Sequence, residues 1–203
     1  MASILTSLRN TVIAGFVLAL LIEGFYLQSG NGLAYDDREF YTFLFRWLHV
    51  LSGIMWIGLL YYFNFVQIPN MPNIPDDQKP AIGKVIAPAA LWWFRWAAMA
   101  TLITGLILGY LSNYIHDALA LGAMTGFAVE KNIVIGIGMW LGIIMWFNVW
   151  FVIWPNQKRA LGIVEAADDV KAASARRAML FSRTNTMLSV PMLFAMVAAQ
   201  NLY

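Results

Sequence analysis

The stretch FLFRWLHVLSGIMWIGLLYYFNF, Phe43 to Phe65, carries two basic side chains, Arg46 and His49, and no acid. A membrane-crossing helix needs roughly 20 apolar residues at about 1.5 Å rise each, and this run is long enough. Such a helix pairs every backbone polar group within itself, as a bilayer demands. An imidazole inside it is costly to desolvate, so His49 calls for a functional reason, and ligation of heme iron or another metal is the first to test. Helical spacing places Arg46 (i−3), Gly53 (i+4) and Trp56 (i+7) on the same face. Gly53 leaves room for a flat ligand beside the ring, and Arg46 is set to pair with a heme propionate. The ring is expected roughly 10 Å below the outer surface. The competing reading is a hydrogen bond across the bundle, for instance to Glu23, the one acid inside a span.

Outward from this run the same pattern recurs. The expected spans are about 11–28, 42–67, 90–115, 132–154 and 181–201, giving an all-α, polytopic membrane bundle of five transmembrane helices in one domain, 1–203. Composition agrees, with 61% hydrophobic and 12% charged residues, against about 45–50% and about 25% in soluble domains. The first run follows Arg9 without a small-residue cleavage site and is expected to stay as a helix. Cysteine is absent, which excludes disulfides, Cys-ligated metals and the attachment of a c-type heme. A net charge of +2 gives no sign of nucleic acid as a partner.

The loops set an orientation. Asp36, Asp37 and Glu39 make the first loop acidic, whereas Lys158, Arg159, Lys171, Arg176 and Arg177 crowd the fourth. Lys and Arg mark the cytoplasmic side, so the N-terminus is expected inside the cell and the C-terminus on the outer side of the membrane. Residues 69–88 read as an irregular loop ending in a short interfacial segment around Ile82–Ile86. Residues 156–179 read as an amphipathic cytoplasmic helix on the headgroups. No repeat with a period of 20–50 residues is apparent.

A second polar set comprises Asn64, Gln67, Arg95, Asn148, Arg183, Asn185 and Ser189, all in the cytoplasmic half. Arg95, Asn148, Asn185 and Asn64 are the expected lining of a substrate pocket; the alternative is interhelical hydrogen bonding with the arginines reaching to headgroups. Gly105/Gly109 and Gly138/Gly142 form GxxxG pairs that permit close backbone approach, and Pro191 weakens the last helix's ladder. For a second axial ligand the candidates are His116, Met99 and Met139.

RWLHVLSGIMWIGLLYYF (Arg46–Phe63), WFRWAAMATLITGLIL (Trp93–Leu108), GMWLGIIMWFNVWFVIWPNQKR (Gly138–Arg159) and SRTNTMLSVPMLFAMV (Ser182–Val197) resemble the membrane domain of the bacterial urate oxidase family. FVIWPNQ and NTMLSVPMLF are its most specific parts. The resemblance implies a redox membrane protein, with urate hydroxylation passing electrons to a cytochrome c, and points to His49, Arg95, Asn148, Pro155, Asn156, Gln157, Asn185 and Pro191. The chain departs from the family in having no cytochrome c domain, in carrying Thr184 where members have a histidine, and in lacking a second histidine near Gly136. The expectation is a urate oxidase-like redox protein that holds heme b or a metal through His49 and serves a separate cytochrome or other carrier. A non-catalytic accessory subunit of a larger membrane complex is the alternative, and a small-solute transporter a weaker third. Oligomeric or heteromeric assembly in the lipid bilayer is expected in the first two cases.

Overall fold

A computed structural model describes residues 2–28 and 37–203. Asp36, part of the expected acidic loop, lies outside the described residues. The described chain is helical, without strands. It divides into two units, Met1–Leu44 and Phe45–Tyr203.

The first unit is built on α1, Leu8–Gln28. The Asn10 amide donates to the Ser7 hydroxyl at 3.5 Å, a serine cap on the helix N-terminus. Helix α2, Arg38–Tyr61, runs into the second unit, where it continues through a π-helical turn, Tyr62–Gln67. Helix α3, Ala87–Leu111, is preceded by helical turns from Lys79, including a π turn over Ile82–Ile86. The expected interfacial segment is therefore the beginning of the α3 rod. A short helix α4, Ile115–Leu119, leads to α5, Glu130–Phe147. A third π turn, Asn148–Ile153, joins α5 to α6, Trp154–Ala160, and α7 spans Asp168–Asn201.

Four helical runs are long and apolar enough to cross a membrane: Leu8–Phe25, Arg38–Asn73, Lys79–Leu111 and Glu130–Ala160. The fifth expected span lies in α7, which falls short of that hydropathy because Arg183, Asn185, Ser189 and Gln200 are spread along it. The expected 156–179 helix also differs. Helix α6 stops at Ala160, Gly162 turns with φ 70°, and the residues from Asp168 onward are the first turns of α7.

The second unit contains a repeat with a longer period than the sequence reading considered. Trp56-Ile-Gly-Leu-Leu-Tyr-Tyr-Phe-Asn64 matches Trp140-Leu-Gly-Ile-Ile-Met-Trp-Phe-Asn148, and Met55 precedes the first as Met139 precedes the second. Each asparagine lies in a π turn, and each turn is followed by a Pro-Asn pair, Pro69-Asn70 and Pro155-Asn156. Further on, Arg95, Met99 and Thr101 of α3 correspond to Arg183, Met187 and Ser189 of α7. The unit is thus two helical hairpins, α2–α3 and α5–α7, entered in the same direction.

The hairpins differ in tightness. Helices α5 and α7 lie close together because Gly138 faces Ala195 and Met196, where an added Cβ would sit 3.3 and 3.2 Å away. Helices α2 and α3 approach each other less closely. Toward the Pro155 end the two hairpins share one core of Trp56, Leu60, Phe63, Phe94, Met145 and Val149, with Phe63 edge-on to Phe94 at 5.7 Å. Toward the Lys131 end the wider α2–α3 hairpin leaves space.

Candidate functional site

That space is a cavity of about 590 Å³ between α2, α3, α5 and α7, within the roughly 300–1,000 Å³ range of small-molecule sites. Arg46, His49, Gly53 and Trp56, the face expected from the spacing, all line it. Opposite them stand Met139, Gly142 and Met192. A Cβ added to Gly53, Gly58 or Gly142 would meet nothing within 4 Å, so these wall residues face open space.

His49 is held from behind. Its Nδ1 lies 2.9 Å from the Thr101 carbonyl oxygen; because a carbonyl accepts, Nδ1 carries the proton and Nε2 keeps a lone pair. The Thr104 hydroxyl, 3.4 Å from Nδ1, donates to the Ala100 carbonyl at 2.6 Å. The ring lies against Gly105, where a Cβ would come within 2.8 Å of Cε1 and 3.0 Å of Nδ1. Gly105 is therefore a site residue that the sequence reading placed in a helix-packing motif. Its signal was present, one turn beyond Thr101 on the same helix, but the partner ring belongs to another rod.

At its Lys131 end the cavity adjoins a polar recess of about 310 Å³. Arg46, Tyr114 and Gln200 line both spaces, so the recess is the polar mouth of the cavity.

The second polar set is placed differently. None of Arg95, Asn148, Asn185 and Asn64 lines either space. The Asn148 amide donates to Asn185 Oδ1 at 2.8 Å, and Asn185 donates to the Met145 carbonyl at 2.9 Å. Asn64 donates to the Leu60 carbonyl and to Ser182 Oγ, at 2.9 and 2.8 Å. Tyr61 and Ser189 hydroxyls meet at 2.9 Å, and the Arg95 guanidinium stacks on Trp154 at 3.2 Å. These contacts tie helices together. The π turns explain two of them, since a π turn displaces a backbone carbonyl from the regular ladder and an asparagine amide from a neighbouring turn or helix binds it.

Of the second-ligand candidates, Met139 lines the cavity, His116 is exposed on α4, and Met99 is outside the lining. At Gly136 a Cβ would run into the Ala118 carbonyl, so α4 fills the space that a family histidine there would need. In the repeat, Ile133 takes the position of His49, so the second hairpin supplies no matching ring. Among the described residues no group of three His, Cys, Asp or Glu side chains comes together.

Together these features describe a helix bundle in which His49 borders an apolar, glycine-walled hollow. Residues 118–202 match the urate oxidase N-terminal family model, under half of the chain, taking in α5, α6 and α7. Asn148, Pro155, Asn156, Gln157, Asn185 and Pro191 fall inside the match, whereas His49 and the α2 face fall outside it. No curated protein and no solved structure matches the chain significantly.

Proposed function

We propose that the chain is a urate oxidase-like redox protein of the bacterial inner membrane that binds heme b through His49 Nε2 and exchanges electrons with a separate carrier. The observation that carries this reading is the His49 ring itself, with Nδ1–H given to the Thr101 carbonyl and Nε2 left as a ligand beside a hollow walled by Gly53, Gly58 and Gly142. A metal-ligating histidine characteristically donates its other nitrogen to a carbonyl or carboxylate, which fixes the tautomer and strengthens the ligand. A bare ion needs three or four protein ligands, whereas a porphyrin brings four of its own; a lone His49 suits the second. The residues therefore fit the group.

Bound heme would supply one-electron chemistry and a redox potential set by its ligand and surroundings. Thr101 and Gly105 hold the imidazole in place, Trp56 and Ile57 close the hollow toward the shared core, and Arg46 offers a cation to a carboxylate at the mouth. Topology follows the basic residues, with Lys158, Arg159 and Lys171 in the cytoplasm and the Lys131 end on the periplasmic side, N-terminus in and C-terminus out. The substrate is a small polar molecule of the kind urate exemplifies.

Hemin titrated into the detergent-purified protein should give a Soret band of one equivalent that His49→Ala removes. A protein that is colourless and iron-free as isolated, and takes up no hemin, would overturn the proposal.

A further inference from the structure

The recess at the Lys131 end holds two cations, Arg46 and Lys131, and no carboxylate in its lining. Among the described residues neither cation takes part in an ion pair. The other walls are hydrogen-bonding groups: Ser112, whose buried Oγ has no partner, and Asn113, Tyr114, Asn132 and Gln200. Asp117, which holds Asn132, is occupied, accepting from Asn132 Nδ2 at 2.9 Å and from the Thr125 amide and hydroxyl at 3.0 and 2.9 Å. Positive charge and donors thus converge on a hollow that opens directly into an apolar one through Arg46, Tyr114 and Gln200.

An apolar chamber joined to a dicationic mouth selects an amphipathic ligand whose charged groups lie along one edge. We infer that the recess seats a pair of carboxylates, with Arg46 on one and Lys131 on the other, while the apolar body of the same molecule fills the cavity. The inference rests on the heme reading and makes it more specific, since the two propionates are then directed toward Lys131 and the macrocycle toward Trp56. Arg46 comes from the first hairpin and Lys131 from the second, so the ligand edge bridges the two halves of the repeat. Asn132, anchored by Asp117, fixes the far wall of the recess.

The test compares hemin with hemin dimethyl ester on the full-length protein in detergent, read by the Soret band and by equilibrium titration. Wild type should bind hemin at least about tenfold more tightly than the ester, the scale of one charge-assisted hydrogen bond. Lys131→Met should lose about tenfold for hemin and nothing for the ester, and Lys131→Glu should lose more. Lys131 is partly exposed at the start of α5, so both variants are expected to fold; an unchanged Soret position for the ester complex checks this. Equal affinity for hemin and ester, or a Lys131→Met variant indistinguishable from wild type on hemin, overturns the carboxylate seat while leaving the His49 ligand in place. Failure of wild type to take up either compound overturns the heme reading instead.

Discussion

Gly105 leaves the His49 imidazole the space in which to reach the Thr101 carbonyl. With alanine there the added methyl would overlap Cε1 at 2.8 Å, and the ring would have to swing away from its acceptor. Gly105→Ala should therefore weaken hemin binding by tenfold or more and destabilise the bundle by about 1–3 kcal/mol, as overpacking does; titration and thermal melts by circular dichroism measure the two effects. Gly53→Ala makes a useful contrast, because its methyl would enter open space and shrink the cavity without touching the His49 bond. At this scale the α2 face was legible: Arg46, His49, Gly53 and Trp56 follow from one helix's periodicity. Gly105 and Thr101 were not, since a contact between helices α2 and α3 leaves no mark in the spacing of either.

Among the elements, α4 and the turns that follow it are organised by Asp117. Burial raises the cost of its charge, yet hydrogen bonds from Asn132, the Thr125 hydroxyl and the Thr125 and Met124 amides together hold its pKa below the usual carboxylate value. A carboxyl whose folded pKa is depressed adds stability above its unfolded pKa and loses it as pH falls through the folded one. Acidification should therefore loosen residues 115–132 before the long helices, with the Thr125 amide losing hydrogen-exchange protection first, and Asp117→Asn should make that protection much less dependent on pH. The asparagine bridge at the other end is independent of pH. Asn185→Ala removes the acceptor of Asn148 and the donor to Met145, at roughly 0.6–1.7 kcal/mol for each interhelical bond in a membrane protein, so denaturation should come earlier with hemin affinity little changed. Seven polar residues in one half suggested a pocket; residue types cannot distinguish side chains that bond one another from side chains that wait for a ligand. The break near Gly162 and the uninterrupted α7 were equally hidden, because the apolar pattern fades across α7 while its helical backbone continues past Pro191.

Across the whole molecule, the helical class was plain from composition and long apolar runs, and four of those runs meet the requirement for crossing a membrane. The two-hairpin repeat was legible in Trp56–Asn64 and Trp140–Asn148 but has a period well beyond 20–50 residues. Its asymmetry organises the site. The second hairpin closes on small residues, Gly138 against Ala195, and has Ile133 in place of the ring; the first stays wide and keeps the histidine. No pattern within one helix predicts that difference, because it is a property of how two rods meet.

Val50 and Ile54 on α2 and Leu193 and Val197 on α7 border the cavity and are themselves exposed. In a bilayer the hollow would open sideways to the acyl chains, and the proposed apolar guest would enter by partition, without first crossing water. In liposomes of fixed protein and hemin content, the rate of uptake should fall as empty lipid is added, because the guest is diluted in the bilayer that delivers it; stopped-flow absorbance would follow it. A rate indifferent to lipid amount would mean that the guest comes through the aqueous mouth.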